Sequence, residues 1–220
     1  MELLARGRDA EVFGLDEHTV LRRFRGPRDL RWEVAAMEAA RDAGLPVPAV
    51  HEIRPDAMVL ERIHGPTMLE ALLADPGSAQ AHAVTLAELH LRLGQITAPD
   101  GMSTPVGAGE SLVHLDLHPG NVILGSAPTI IDWTNAGRGP VSADPATCWL
   151  LTRVVQVEAP AAPTAEFTVA VGTFVETFLD CFDLPDLLEQ LPAVGRARLH
   201  DVNLTPEEQE RIRAFLDDPW

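Results

Sequence analysis

Residues 2–6 and 10–15 alternate loosely between apolar and polar side chains and straddle Gly7-Arg8-Asp9. A third run, His18-Thr19-Val20-Leu21-Arg22-Arg23-Phe24, follows the turn at Asp16-Glu17, and Gly26-Pro27 closes the set. Period-two patterning broken by turn residues predicts three antiparallel strands. The period then lengthens. Trp32, Ala36, Ala39 and Ala40 share one face of a helix predicted over 28–43, with Gly44 as its stop. Residues 49–53 and 57–62 predict two more strands around Arg54-Pro55-Asp56.

After Gly65-Pro66 helical spacing dominates. Helices are predicted over 67–74 and 78–95, the second with Leu86, Leu89, His90 and Leu93 on one face and His90 as a satisfied core histidine. A Gly-, Pro- and Ser-rich loop at 99–111 precedes short strands at 121–124 and 128–131. Helices follow at 143–158, 163–182, 184–191 and 205–216, with an Ala/Pro-rich turn at 159–163. Thr205-Pro206-Glu207-Glu208 reads as a capping box with Pro at the first helical position. Strands gathered in the first third and helices in the rest predict an α+β protein of two lobes, 1–63 and 64–220. A cleft between lobes is a common ligand site.

Composition narrows the function. Hydrophobic residues make up 46% of the 220, enough for a core without disulfides. The net charge of -16 disfavours nucleic acid, keeps the chain soluble and tolerates a cationic small-molecule partner. The two cysteines, Cys148 and Cys181, match no metal spacing and read as buried free thiols in a reducing compartment. Met1 to Phe13 carries no apolar signal core and no later run approaches a membrane span, so a cytoplasmic protein is expected.

The chemistry concentrates in Leu112-Val113-His114-Leu115-Asp116-Leu117-His118-Pro119-Gly120-Asn121, followed by Ile130-Ile131-Asp132-Trp133. A carboxylate, an Asn five residues later and an Asp ending an apolar strand suit phosphoryl transfer. One carboxylate can take or orient the proton of an attacking hydroxyl. A second, with an amide oxygen, can hold Mg²⁺, a hard cation that prefers oxygen ligands. Pro119-Gly120 lets the intervening chain turn.

His114-x-Asp116-x-x-Pro119-x-Asn121 with Ile131-Asp132-Trp133 resembles the catalytic loop and metal motif of the aminoglycoside phosphotransferase family, which includes choline kinase-like enzymes and shares the protein-kinase-like fold. The resemblance implies a small antiparallel-sheet lobe with one helix and a larger, mainly helical lobe. It implies Asp116 as catalytic base or hydroxyl-positioning group, and Asn121 and Asp132 as Mg²⁺ ligands. His114 and Asp144 would brace the catalytic loop, although Asp144 also suits a helix N-cap. ATP or GTP would be the phosphoryl donor and a small-molecule hydroxyl the acceptor.

In such folds a strand cation reaches the nucleotide phosphates and pairs with a helix glutamate, here Arg22 and Glu33. Arg22 stands where the family often has Lys; its fork binds phosphate bidentately but is bulkier. Gly7-Arg8-Asp9 is either a phosphate-covering turn or a plain hairpin turn, with Arg6 or Arg8 as local cations. Leu60-Glu61-Arg62-Ile63 resembles the hinge, with the Glu61 carbonyl and the Ile63 amide at the adenine edge and Val12 and Ile131 sandwiching the base. For a cationic acceptor the acidic candidates are Asp144, Glu158, Glu176, Asp180 and Asp183. Two rival readings stand beside the kinase: a His114-x-Asp116-x-His118 metal cluster, and a degenerate kinase fold acting as a binding or regulatory module.

Overall fold

The computed structural model describes residues 1–154 and 164–219. Its first part is a five-stranded antiparallel sheet of β1 (Glu2–Arg6), β2 (Ala10–Gly14), β3 (Thr19–Phe24), β4 (Val50–Arg54) and β5 (Ala57–Glu61). The strands lie in the order β1-β2-β3-β5-β4. Helix α1 (Arg31–Asp42) covers the sheet and stops at Gly44, whose φ of 83° is open to glycine. Register places Arg22 opposite Val12 on one side and Met58 on the other, so it sits in a central strand.

The face that α1 buries keeps Ala36 and Ala40 of the expected set, with Ala39 packed at its edge, but not Trp32. Glu33, Val34, Ala36, Met37 and Ala40 point inward, while Trp32 is 36% exposed over Gly101. Alanine carries little apolar area, so Val34 and Met37 set the rotation of the helix. Glu33 can be buried because Arg22 lies opposite it.

The second part holds α2 (Met68–Ala74), α3 (Ala79–Leu93), α4 (Ala143–Val154), α5 (Ala165–Leu179), α6 (Leu184–Leu199) and α7 (Pro206–Asp217). Capping boxes at Thr67–Glu70 and Thr205–Glu208 start α2 and α7. Two small antiparallel pairs complete it: β6 (Ser111–Val113) with β9 (Gly137–Gly139), and β7 (Val122–Leu124) with β8 (Pro128–Ile130). Gly65 marks the junction of the two parts at φ 142°. A Cβ there would lie 2.3 Å from the Leu124 carbonyl oxygen, so the backbones pass too closely for any other residue.

Helix α6 runs eight residues past its expected end at 191, straight through Pro192. Leu187, Leu191 and Val194 continue one buried stripe, and Gly195 lets α7 approach so closely that a Cβ would meet Leu216. That packing outweighs the hydrogen bond a proline forfeits. Cys148 is buried, but Cys181 lies just beyond α5 and is only half-buried. His90 is in the core, edge-on to Phe178 and Phe182, and neither ring nitrogen makes a well-formed hydrogen bond, the Leu117 backbone offering only a weak one. Among the described residues no helix is long and apolar enough to cross a membrane.

Candidate active site

The segment after β6 immediately turns. Leu115 takes φ 59°, a strained left-handed conformation for a branched residue. Asp144, in the first turn of α4, holds that turn: its Oδ2 accepts from the His114 N–H at 2.7 Å and its Oδ1 from the Leu115 N–H at 2.6 Å. Asp144 thus braces the loop and is 4% exposed, so no acceptor molecule can reach it. Burial pushes its carboxyl up to about 6 despite the two N–H donors.

His114 is fully buried, its ring 4.7 Å from that of Trp133. Its Nε2 lies 3.1 Å from the Ile131 carbonyl oxygen, so Nε2 carries the proton and donates. Burial holds the ring neutral. His118 accepts from the Gly120 N–H through Nδ1 at 3.1 Å, and a Cβ on Gly120 would strike its ring at 2.8 Å. Both histidines are therefore engaged with the backbone. Among the described residues no group of three or more His, Cys, Asp or Glu side chains is placed to hold a metal ion.

Pro119–Asn121 form one short 3-10 turn that brings Asn121 back onto Asp116. Asn121 Nδ2 donates to the Asp116 carbonyl at 2.8 Å and to Asp116 Oδ2 at 3.1 Å, which leaves its amide oxygen for a hard cation. Asp116 Oδ1 faces Arg198 Nη1 of α6 at 3.3 Å. Burial pushes the Asp116 carboxyl up to about 7; Arg198 pulls against that and nearby Asp132 adds to it.

Asp132 ends the β8 segment at φ 61°, a second left-handed residue. Arg22 Nη2 meets its Oδ1 at 2.5 Å, and Thr134 Oγ1 accepts from Arg22 at 2.8 Å while donating to Asp132 at 2.9 Å. Through Nη1 the same guanidinium binds Glu33. Burial pushes the Asp132 carboxyl up, but Arg22 and Thr134 prevail and hold it below its ordinary range. Its side chain stays 42% exposed, open to a ligand. An ionised, accessible Asp132 suits a divalent cation, and Asn121 is tied to the adjoining residue, its backbone carbonyl accepting from the Ile131 N–H at 3.0 Å.

Arg22, Val12, Asp116, Ile131 and Asp132 line one cavity of about 710 Å³ between the sheet and the helices, a size that suits a small-molecule ligand. Glu33, His114, Asn121 and Asp144 stand behind it, each bonded to a group that lines it or shapes its backbone. Glu61 and Ile63 are not among the lining residues. The Glu61 amide donates to the Ala49 carbonyl at 2.9 Å and its carboxylate accepts from the Ala49 N–H at 3.0 Å. The turn at Gly7 reaches across the cavity mouth. Arg8 binds Glu208 of α7 at 2.5 Å and the Asn203 carbonyl at 3.2 Å, and Asp9 accepts from Asn203 Nδ2 at 3.0 Å. Arg6 instead pairs with Glu11. Of the acidic candidates, Glu176, Asp180 and Asp183 do not line the cavity, and Glu158 and the turn at 159–163 lie outside the described residues.

Arg198 was not legible in the sequence, because it sits 82 residues from the carboxylate it meets. Thr134 carried a faint signal, standing two residues after Asp132 where a hydroxyl can bond back.

Residues 103–182 match the model of the phosphotransferase enzyme family. Solved structures match nearly the whole chain. A thermostable mutant of aminoglycoside phosphotransferase APH(4)-Ia, in its apo form, aligns over 99% of this chain and 94% of its own at 15% identity and TM-score 0.67. Another such mutant, in ternary complex with AMP-PNP and hygromycin B, aligns over 98% and 92% at 13% identity and TM-score 0.66. The streptomycin-ATP-APH(2")-IIa ternary complex aligns over 98% and 90% at 12% identity and TM-score 0.60. None of the curated proteins matches the chain. The loop that turns on Asp144 and the strand end at Asp132 thus lie within the segment matched to the phosphotransferase enzyme family, in a chain with the kinase-like fold of the aminoglycoside phosphotransferases.

Proposed function

We propose that this protein transfers the γ-phosphoryl group of ATP or GTP to a hydroxyl of a small molecule, with Mg²⁺ as cofactor. The observation that carries this reading is the convergence of Asp116, Asp132 and Arg22 on one cavity, with Asn121 tied to Asp116. Asp116 orients the acceptor hydroxyl and takes its proton. The acceptor oxygen forms the new bond to the γ-phosphorus as the bond to the bridging oxygen breaks, releasing the nucleoside diphosphate. Arg22, held from behind by Glu33, presents its guanidinium to phosphate oxygens. Val12 and Ile131 supply apolar walls for the base. His114 and Asp144 keep the loop in its strained turn, so positioning is fixed before substrate arrives. Held by Asn121 and Asp132, Mg²⁺ would neutralise charge on the phosphates. The two free cysteines fit a cytoplasmic setting.

One observation favours a binding or regulatory module instead: Arg22 already neutralises Asp132, the group a cation needs. Calorimetric titration of ATP and GTP, with and without Mg²⁺, on the wild type and Asp132→Ala separates the two. Mg²⁺-strengthened binding that Asp132→Ala loses supports the phosphotransferase. Absence of binding by either nucleotide would overturn it.

A further inference from the structure

Each carboxylate facing the cavity has a contact within the protein, although Asp132 stays accessible. Asp9 accepts from Asn203, Glu208 pairs with Arg8, Asp132 pairs with Arg22, and Asp201 Oδ1 accepts from the Asn203 N–H at 2.9 Å. An acceptor carrying several ammonium groups would find one carboxylate without a cationic partner, Asp9, among the described lining residues. It would also meet a cation beside the reacting hydroxyl. Arg198 stands there, in the last turn of α6, its side chain 18% exposed.

Arg198 is also the least firmly held guanidinium in the cavity. Its contact with Asp116 is 3.3 Å and that with Asp201 is 3.8 Å, against 2.5 Å for Arg8 to Glu208 and for Arg22 to Asp132. Charge-assisted N–H···O bonds run shorter, at about 2.7–2.9 Å. A guanidinium has five N–H donors in one plane, matched to a planar carboxylate. The cavity wall also holds apolar Leu151, Val154, Val194, Leu204 and Ile212, while Asp116, Asp201 and His118 are the polar groups that feel Arg198. Low local dielectric strengthens any new ion pair formed there.

We infer that Arg198 is a specificity-determining residue, and that the acceptor is a hydroxy acid whose carboxylate binds this guanidinium while its hydroxyl meets Asp116. The acceptor's carboxylate draws Arg198 off Asp116 Oδ1, which frees that oxygen for the hydroxyl proton. A carboxylate suits the site better than a phosphate ester, because a second negative charge would face the incoming triphosphate. The inference rests on the phosphotransferase reading for the role of Asp116, but the recognition of the anion can be measured without turnover.

The test is calorimetric titration of the full chain with unbranched ω-hydroxy acids of two to six carbons, their primary amides, glycerol 3-phosphate and hygromycin B. It is run on the wild type, Arg198→Met and Arg198→Gln, with thermal unfolding to establish that each is folded. The expected result is one or more acids binding at least about tenfold tighter than the matching amide, the ratio falling to within about twofold in whichever variants fold. Acids no tighter than amides, tighter binding of glycerol 3-phosphate or hygromycin B, no acid binding, or a preference that survives loss of Arg198 would each overturn it. Titration with Mg²⁺ and ATP decides the phosphotransferase reading separately. Nucleotide binding without acid preference sinks this inference alone, and acid preference without nucleotide binding sinks only the reaction.

Discussion

The segment from β6 to the start of α4 holds its functional groups through the backbone, whereas α6 and α7 reach the same cavity largely through long side chains. In the first region two N–H groups end on Asp144, one carbonyl takes His114, and Asn121 folds back on Asp116 within a five-residue turn. Every anchor is buried. In the second, Arg198 meets Asp116 at 3.3 Å and Glu208 meets Arg8, whose side chain is 49% exposed. The half-exposed Arg8–Glu208 pair contributes little stability, and the more enclosed Arg198–Asp116 pair is the longer contact. The first region is therefore a fixed frame, and the second an adjustable wall.

The comparison breaks most directly at Asp116. Asp116→Ala should lower turnover by about 10²–10⁴-fold, the usual worth of a positioned acid-base group, while nucleotide affinity stays within about twofold. Steady-state rates and calorimetry on the same preparation check both halves. Unchanged turnover would remove Asp116 from the chemistry. Arg22→Met comes next. It strands Glu33, whose side chain is 4% exposed, with only the unbonded charge of Arg28 to oppose its own. Breaking a buried pair from one side should cost about 3–5 kcal/mol in urea unfolding, and pairing it with Glu33→Met should recover most of that. Asp144→Ala orphans two buried N–H groups at a strained turn and should cost about 3 kcal/mol, at roughly 1–3 for each donor. Loss of activity without loss of stability in Asp144→Ala would mean that the turn does not depend on that carboxylate.

The same contrast explains what the sequence made legible. Asp116, Asn121 and Asp132 are near neighbours in the chain, and their spacing is itself the signal. Most strands and helices announced themselves through period-two and helical patterning. The three-residue strands β6 and β9 are too short, and β9 too rich in glycine, for any periodicity to form. Pro192 hid the second half of α6, because local propensity cannot see the α6–α7 packing at Gly195. Arg198 and the Arg8–Glu208 contact span 82 and 200 residues, and only the fold brings them together. Trp32 misled for a related reason: helical spacing shows which residues share a face, not which face turns inward.

The seam between α3 and α5 gives a smaller, pH-dependent effect. His90 sits between Phe178 and Phe182 with no well-formed hydrogen bond at either nitrogen, and burial, aided by His114 and opposed by the Leu117 backbone, pushes its pKa down from 6.5 to about 3. Between those values the unfolded chain binds a proton that the folded chain refuses, so acid favours unfolding. That contribution to stability is complete above pH 6.5 and is lost as pH falls toward 3, at up to about 1.4 kcal/mol per unit. His90→Leu removes the titration. Its stability relative to the wild type should rise steadily as pH drops from 7 to 5 in parallel urea titrations. A gap that stays constant with pH would mean that His90 protonates inside the fold.

The smallest effect tests the clasp at the cavity mouth. Arg8→Ala should cost under about 1 kcal/mol, since the guanidinium is largely solvated. Glu208→Ala should cost more, but for a reason unrelated to Arg8. Its Oε2 also accepts from the Thr205 N–H at 2.8 Å, completing the capping box of α7. Only a double-mutant cycle divides the two roles. The expected coupling between Arg8 and Glu208 is about 0.2–1 kcal/mol, and it should shrink in high salt as exposed charges are screened. A coupling of several kcal/mol would move α7 from the adjustable wall to the fixed frame. The α6–α7 side of the cavity would then be as rigid as the loop after β6, and any adaptation around Arg198 would have to come from a ligand.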